Sequence, residues 1–364
     1  MACTFEKRFQ KKTTYMYIVF LFICVYTCIV MFFSYIKMNP PQPGNKQISK
    51  VRLFECRRCF PQNFKILINS LSICRTYNES HDDIDMLFII LTVHAHVKQR
   101  MTFRQTWLKD TNNNTGLARY VFLLGTLDNA TLQEQLRQES MQFKDIIQFN
   151  FVDSYRNITY KSIMGFKWAV QFCSKVKFIF KTDDDVYINI PNALRIVKAN
   201  EQVLYSAVGG ECLNKSKRDT DPASKWYITP EEYPSDYYPG HCSGYGYVTS
   251  MSVAKKIVRV SNNVPFFHLE DVYFGFCIHK LNYTFHTIKG FYKNSALSHT
   301  SCNFHHPSFV ITYHVDVHTM TRIWKTPCIN TEYMIRWKSV MWIMNVIKYI
   351  TFNEMIFSIS YGGS

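Results

Sequence analysis

The sequence predicts an α/β fold in which a mostly parallel sheet carries helices on both of its faces. Four apolar runs, rich in β-branched and aromatic residues, have the composition of strands that are buried on both sides. Segments with helical periodicity separate these runs, as expected where right-handed crossovers join parallel strands. The fourth run ends in three consecutive aspartates, which places a charged cluster at the carboxyl edge of the sheet.

The predicted strands and helices alternate along residues 86–180. Strands are expected at residues 86–93, 120–125, 145–153 and 178–180. Helices are expected at residues 97–110, 129–141 and 158–173, the last with an apolar stripe formed by Ile163, Phe166, Val170 and Cys173. Residues 225–248, rich in aromatic residues, proline and glycine, are interpreted as a loop, either one that binds a sugar or one that is simply packed.

The chain is long enough for one large domain or two ordinary ones, and basic enough to attract anions. It has 364 residues, of which 47% are hydrophobic, so it can bury a sizeable core. Its net charge of +15 is consistent with nucleotide phosphates, acidic glycans or a membrane surface as partners. No nucleic-acid-binding motif accompanies this charge, so nucleic acid is not an expected partner.

The N-terminal segment predicts a single-pass membrane anchor. Residues 15–36 contain no charged residue and, as a helix, would span about 33 Å, which is enough to cross a bilayer. Basic residues precede this segment and should stay in the cytoplasm, so residues 1–14 form a cytoplasmic tail and the rest is lumenal. Residues 37–83, which lack periodicity, are interpreted as a stem. A cleaved signal peptide is the alternative.

Two further features agree with a lumenal location. Asn-x-Ser/Thr sequons occur at Asn78, Asn113, Asn129, Asn157, Asn214 and Asn282. Of the 12 cysteines, three (Cys3, Cys24 and Cys28) lie in the tail and anchor, so the nine others include at least one that is unpaired or pairs with another chain. Cys56 and Cys59 are predicted to form a stem disulfide rather than half of a zinc site.

Asp183, Asp184 and Asp185 are the strongest candidates for a functional cluster. Three adjacent like charges repel one another and are stabilised by a cation. Carboxylate oxygens suit Mg²⁺ or Mn²⁺, and such an ion in turn suits a diphosphate. A solvated turn is the alternative for any such triplet. A calcium loop is excluded, because Ile188 and Leu194 stand where its glycine and its glutamate belong.

A second acidic pair, Glu270 and Asp271, stands immediately before an apolar helical run. A carboxylate in a partly apolar neighbourhood can act as a general base, although the start of a surface helix would show the same pattern. The fingerprints of several other enzyme classes are missing from the sequence. It contains no Gly-x-Gly-x-x-Gly after the first strand, no Walker loop, no Gly-x-Ser-x-Gly and no His-Glu-x-x-His.

Eight stretches of the chain form a specific pattern when they are taken together. They are RMTFRQTW, FLLG, QESMQFKDIIQFNFVDSYRNITYKSIMGFKWAVQFC, KFIFKTDDDVYIN, KWYITPEEYPSDYYP, CSGYGYV, HLEDVYFGFC and VITYHVDVHTMTRIW, within roughly residues 86–328. In this order they resemble the β1,3-galactosyltransferase family, glycosyltransferase family 31. The resemblance implies a GT-A-like, Rossmann-type sheet preceded by one transmembrane helix. It places the lumenal transferase domain at residues 84–330, followed by an extension, residues 331–364, without a family counterpart.

The resemblance also implies roles for individual residues. Asp183, Asp185 and His314 match a site for Mn²⁺ or another divalent cation that holds the donor diphosphate, and Asp185 is the expected direct ligand. Asp271 matches the catalytic base, with Glu270 as the alternative. The residues expected near the nucleotide sugar are Arg100, Arg104, Lys181, Asp183, Asp184, Trp226 and Tyr227.

The implied activity is that of a type II membrane hexosyltransferase of the Golgi apparatus. It would move galactose from UDP-galactose, with inversion, to a hydroxyl of a glycoprotein or glycolipid glycan in β1,3 linkage, and homo-oligomerisation stays open. Asp184 stands where many galactosyl members have serine, and Leu108 where the family generally has glycine. The turn at Leu108 is expected to differ from that of the family. Because Asp-Asp-Asp is frequent in the N-acetylglucosaminyl branch, UDP-N-acetylglucosamine is the alternative donor. A catalytically silent lumenal chaperone or glycan-binding homologue is the alternative from another class.

Overall fold

Three segments of the chain, residues 56–74, 84–292 and 301–326, are described by the computed structural model. The predicted cytoplasmic tail, the predicted anchor at residues 15–36 and the C-terminal extension lie outside these segments. Within the three segments, no helix combines the length and the apolar character that crossing a membrane requires.

An eight-stranded mixed sheet forms the centre of the domain, with the strand order β1-β4-β3-β2-β5-β8-β7-β9. These strands are β1 (Ile66–Ile68), β2 (Met86–Leu91), β3 (Ala118–Thr126), β4 (Ile146–Val152), β5 (Phe178–Asp183), β7 (Ala207–Lys217), β8 (Tyr237–Ser250) and β9 (Thr284–Thr287). A second, three-stranded sheet contains β6 (Val186–Ile188), β10 (Phe291–Tyr292) and β11 (Ile311–Tyr313).

Parallel pairing is confirmed for the four consecutive strands β4, β3, β2 and β5, which are those that the sequence predicts. The sheet also contains antiparallel strands that the sequence did not predict. β8 runs antiparallel to both β5 and β7, and β1 runs antiparallel to β4. The difference arises from residues 237–250, which belong to a strand although their glycines and aromatic residues are typical of a loop. Tyr245 and Tyr247 are both buried in this strand.

Eight helices are described, and they cover both faces of the sheet. They are α1 (Val97–Gln105), α2 (Ala130–Phe143), α3 (Ile158–Phe172), α4 (Ile190–Ala199), α5 (Glu201–Leu204), α6 (Met251–Ser261), α7 (Glu270–Lys280) and α8 (Val317–Lys325). Phe88 of β2 packs on one face against Trp107, which follows α1. On the opposite face, Ile89 lies against Gly165 of α3, and the missing side chain lets the helix pack close to the strand.

Residues 56–74 pack on the domain, although the sequence assigns them to the stem. The ring of Phe60 lies 5.0 Å from the rings of both Tyr160 and Tyr273. β1 adds to the edge of the sheet beside β4. The folded part of the chain therefore begins before residue 84. A three-residue strand is too short to produce a periodic signal in the sequence.

Among the described cysteines, disulfides join Cys56 to Cys59, Cys74 to Cys173 and Cys212 to Cys242, Cys302 is also disulfide-bonded, and Cys277 is free and buried. The expected Cys56–Cys59 disulfide and the expected unpaired thiol are both confirmed. The second disulfide fastens residues 56–74 to the end of α3, and the third joins β7 to β8 across 30 residues of chain. Such crosslinks stabilise the fold chiefly by restricting the unfolded chain.

A buried network of charges joins α1 to α2 and β4. Arg100 is fully buried and makes a bidentate contact with Glu139, with N–O distances of 2.9 and 2.7 Å. Arg104 lies between Glu139 and Asp145, at 2.8 Å from each. The guanidinium of Arg104 also stacks on the ring of Phe143 at 4.0 Å. Each buried charge thus has a partner, which burial requires.

Glu139→Ala is expected to destabilise the domain by about 3 kcal/mol, because it leaves the buried guanidinium of Arg100 without its carboxylate. Urea unfolding of the variant measures this loss. The matched control is Glu134→Ala on the same helix, since Glu134 pairs with Arg137 on an exposed surface. Its unfolding midpoint should equal that of the wild type. Equal midpoints for both variants would show that the buried network does not stabilise the fold.

Candidate active site

The acidic triplet lies at the carboxyl end of β5, where the large sheet meets the small one. Asp183 is the last residue of β5, and Asp184 and Asp185 form the turn that leads into β6. The three side chains have different partners, so they do not form one solvated acidic surface. Each of them joins the turn to a different part of the molecule.

Asp185 and His314 are brought together, as the resemblance implies. The distance between Asp185 Oδ2 and His314 Nδ1 is 3.2 Å, and both side chains are exposed. β11 pairs with β6 in an antiparallel register that sets Tyr313 opposite Val186, and the N–H of Val315 donates to the carbonyl of Asp185. His314 has a φ of 59°, which is uncommon for a residue with a side chain and is often found at functional sites.

Asp184 turns back toward the end of β2. Its Oδ2 accepts hydrogen bonds from the hydroxyl of Thr92 at 2.5 Å and from Nδ1 of His96 at 2.9 Å. The hydrogen bond to Asp184 raises the pKa of His96. Only 12% of the Asp184 side chain is exposed. The middle aspartate therefore fastens the triplet to the loop after β2. Thr92 and His96 were not identified from the sequence, because nothing in their spacing distinguishes them.

Lys181 connects the triplet with the second acidic pair. Its ammonium is completely buried and donates to Asp183 Oδ1 at 2.9 Å, to the carbonyl oxygen of Gly244 at 2.5 Å and to Glu270 Oε2 at 3.2 Å. Two carboxylates and one carbonyl thus compensate one buried cation, which would otherwise be strongly destabilising. The prediction that Lys181 lies beside the donor stays a prediction, but its side chain is committed to these three groups.

Glu270 and Asp271 occupy the first turn of α7, but their carboxylates differ in what holds them. Glu270 is buried, and its two oxygens accept from Lys181 and, at 2.5 Å, from the hydroxyl of Tyr247. Burial raises the pKa of Glu270, although the Lys181 ammonium opposes this effect. Asp271 is half-buried, and its Oδ1 accepts from the N–H of Val272. No donor to Asp271 Oδ2 is found in the described part of the chain.

Tyr247 and Gly244 are site residues that sequence reasoning missed. Both belong to the CSGYGYV stretch that carries the resemblance, but neither was assigned a role. Tyr247 lies opposite Lys181 in the pairing of β5 with β8, so the register of the two strands could have identified it. That register could not be inferred, because the segment was interpreted as a loop.

An aromatic pair, Tyr155 and Trp226, lies near the acidic residues, since Tyr155 interacts with Trp226 and with the charge of Asp271. The Nζ of Lys225 lies 4.6 Å from the centre of the Trp226 ring and 5.9 Å from that of Tyr155. Burial, with a smaller contribution from the charge of Asp271, raises the pKa of Tyr155. Both rings keep about half of their surface exposed, at 46% for Tyr155 and 52% for Trp226. Tyr227 is half-buried in the same loop, where its N–H donates to the Ser224 carbonyl.

The guanidinium groups of Arg100 and Arg104 are directed into the interior and are held by Glu139 and Asp145. Arg100 reaches the triplet only through Thr92, whose hydroxyl lies 3.3 Å from Arg100 Nη1 and itself donates to Asp184. The structure therefore does not bring the two arginines to the triplet directly. That they contact the nucleotide stays a prediction.

The side chains near the triplet fit a divalent cation that takes some of its ligands from the protein and the others from a substrate. In residues 56–74, 84–292 and 301–326, no cluster of three or more histidine, cysteine, aspartate or glutamate side chains could hold a metal ion alone. Asp185 and His314 form a pair of carboxylate and imidazole, which suits Mn²⁺. Cations that act on phosphates commonly take only one or two protein carboxylates, with phosphate oxygens and water completing the shell. Two protein ligands are thus enough for such a site.

Comparisons with known proteins agree on the family. The family model for galactosyltransferases matches residues 98–289. Beta-1,3-galactosyltransferase 1 of Mus musculus and that of Homo sapiens are each 35% identical to this chain over 268 residues, which cover 72% of this chain and 78% of each relative. Beta-1,3-galactosyltransferase 5 of Pan paniscus is 37% identical over 197 residues, 54% of this chain and 65% of the relative.

Among solved structures, the apo structure of the bifunctional glycosyltransferase WbbM aligns with 70% of this chain and 52% of its own, at 8% identity and a TM-score of 0.38. A superposition of that quality carries no argument about the site. The match to the family model includes the triplet, the acidic pair and the strands between them. The chain belongs to the β1,3-galactosyltransferase family and is a glycosyltransferase.

Proposed function

We propose that the protein is an inverting, metal-dependent galactosyltransferase that moves galactose from UDP-galactose to an acceptor glycan in β1,3 linkage. The observation that carries the proposal is Oδ2 of Asp271, for which the described part of the chain offers no donor. Asp271 follows Glu270, and Lys181 joins Glu270 to Asp183, two residues before the Asp185 that contacts His314. The names of the relatives favour galactose and the β1,3 linkage. The apolar segment at residues 15–36, the sequons and the disulfides favour a type II Golgi membrane protein with a lumenal catalytic domain.

Asp271 is the proposed base. Its Oδ2 accepts the proton of the acceptor hydroxyl while the acceptor oxygen forms a bond to the anomeric carbon. The bond between this carbon and the diphosphate oxygen breaks on the opposite side, and its electron pair leaves with UDP. UDP departs as an anion, so no second carboxylate is needed as an acid, unlike in glycoside hydrolysis. Glu270 is not the better base, because Lys181 and Tyr247 occupy both of its oxygens.

Asp185 and His314 are the residues that would hold Mn²⁺ or a similar cation. When bound there, the cation would stabilise the negative charge of the leaving diphosphate. Asp183 lies two residues earlier, at the end of β5, where its contact with Lys181 fixes the start of the turn. The pair and the turn thus provide a defined place for the diphosphate, while Asp271 serves the acceptor.

The choice between UDP-galactose and UDP-N-acetylglucosamine does not depend on Asp184. In the sequence, Asp184 in the middle of the triplet is the reason for considering UDP-N-acetylglucosamine as the alternative donor. Its carboxylate is mostly buried and is taken by Thr92 and His96. It therefore gives no physical ground for preferring the N-acetylated sugar, and the relatives favour galactose.

The proposed function is tested by offering the purified full chain in detergent a panel of UDP-sugars with Mn²⁺ and a set of glycan acceptors. Transfer from UDP-galactose, lost when the metal is chelated, is the expected result. Activity with UDP-N-acetylglucosamine alone would overturn the choice of donor. Absence of both transfer and donor hydrolysis with every UDP-sugar would instead support a catalytically silent homologue.

Asp271→Asn is expected to lower the rate of transfer by at least about a thousandfold, because the amide cannot accept the acceptor proton. UDP affinity, measured by calorimetry with Mn²⁺, should stay within a factor of about two, since the amide keeps the size of the side chain. Asp236→Asn, on an exposed loop, is the matched control and should transfer normally. Substantial turnover by Asp271→Asn would reject this residue as the base.

Asp185→Ala is expected to weaken Mn²⁺-dependent UDP binding by at least about tenfold, because it removes the carboxylate that pairs with His314. Calorimetric titration with UDP, with and without Mn²⁺, measures the effect. The matched control is Asp128→Ala, which removes an exposed carboxylate elsewhere. An unchanged response to Mn²⁺ in Asp185→Ala would place the cation at another site.

A further inference from the structure

Neither backbone conformation nor crowding explains why residue 244 is a glycine. Gly244 does not have a positive φ, whereas Gly290, with a φ of 107°, does. A Cβ added to Gly244 would lie 3.4 Å from Glu270 Oε2 and 3.6 Å from Asp271 Oδ2. These are ordinary van der Waals distances, so a methyl group would fit without displacing its neighbours.

Gly244 differs in this respect from the other glycines that the structure describes. At each of the other nine, an added Cβ would come within 3.1 Å or less of a neighbouring atom. Close packing therefore accounts for the missing side chain at those nine positions. At Gly244 a methyl group would make only ordinary contacts, and the atoms it would touch belong to the acidic pair, Glu270 and Asp271.

The position of Gly244 relative to Asp271 is fixed. The ammonium of Lys181 holds the carbonyl oxygen of Gly244 at 2.5 Å and Glu270 Oε2 at 3.2 Å. Glu270 immediately precedes Asp271 in the first turn of α7. A side chain at position 244 would therefore stay over Asp271 Oδ2, because the strand and the helix are held by the same cation.

We propose that Gly244 determines which acceptors reach Asp271. Its missing side chain leaves room beside Oδ2 for the ring carbon that carries the reacting secondary hydroxyl of an acceptor sugar. The proposal rests on the proposed function and deepens it by identifying the acceptor group. A water molecule needs only the space for its oxygen, so the opening at Gly244 favours transfer to a sugar without being required for hydrolysis of the donor.

Transfer to an acceptor sugar and hydrolysis of the donor by water break the same bond, between the anomeric carbon and the diphosphate. In transfer, the acceptor hydroxyl loses its proton to Asp271, its oxygen bonds to the anomeric carbon, and UDP leaves with the electron pair. In hydrolysis, water supplies the oxygen and the proton, and the free sugar and UDP are formed. A group at position 244 that obstructs ring carbons should affect the first reaction and spare the second.

The test is Gly244→Ala in the full chain, assayed with UDP-galactose, Mn²⁺ and either a glycan acceptor or water alone. The efficiency of transfer, kcat/KM for the acceptor, is expected to fall by about ten- to a hundredfold, as is usual for one methyl group too many in a fitted pocket. Donor hydrolysis and UDP affinity are expected to change by less than about threefold, because the methyl group does not touch the triplet and a water molecule is much smaller than a substituted ring carbon.

Ser243→Ala is the matched control, since Ser243 precedes Gly244 and its hydroxyl donates to Glu211 instead of to the acidic pair. It should show wild-type ratios of transfer to hydrolysis. Unchanged transfer by Gly244→Ala would overturn the proposal. Equal losses of transfer, hydrolysis and UDP binding would also count against it, because the available space should admit the methyl group. A wild-type chain without transfer or hydrolysis would refute the proposed function itself.

Discussion

The buried ammonium of Lys181 is the interaction on which the site depends. It lies on β5, two residues before the triplet, and contacts Asp183, the carbonyl of Gly244 on β8 and Glu270 on α7. An ammonium without partners at this depth would be destabilising by several kcal/mol, so the three elements must meet here for the fold to be stable. The same contacts set the distance between the triplet and the acidic pair, which we propose to serve the diphosphate and the acceptor.

The two acidic segments divide their tasks between structure and chemistry. Asp184 accepts from Thr92 and His96, and Glu270 accepts from Lys181 and Tyr247, so both carboxylates are held within the protein. Asp185 and Asp271 are their neighbours in sequence; Asp185 contacts His314 and is 48% exposed, and Asp271 Oδ2 has no donor in the described segments. Asp183, Asp184 and Glu270 thus anchor the backbone, and we propose that Asp185 and Asp271 are available for a ligand. Preorganisation of this kind is what a site for a charged transition state requires.

The central strands and the existence of the site could be predicted from the sequence because their signals are local. An apolar run that ends at Asp183 is contained within a few residues. The meeting of Asp185 with His314 followed only from the resemblance, because 129 residues separate them. Which of two adjacent acids is buried could not be predicted, since it depends on how the turn and the start of α7 pack against the rest of the fold.

Other features were hidden because tertiary contacts override local composition. β8 has the composition of a loop, yet pairing on both sides makes it the antiparallel strand between β5 and β7. Arg100 and Arg104 share one helical face, as their spacing indicates, but this face points to Glu139 and Asp145 rather than to the triplet. Sequence spacing predicts that two side chains lie together and does not show what they contact.

The most direct test of the central role of Lys181 is a double-mutant cycle with Lys181→Met and Glu270→Gln, measured as the free energy of unfolding in urea. Lys181→Met leaves the buried Glu270 carboxylate without its cation. In that variant, Glu270→Gln should therefore lower the free energy of unfolding much less than it does in the wild type. We predict a coupling of at least about 1 kcal/mol between the two changes. Additive effects, within about 0.3 kcal/mol, would contradict the account.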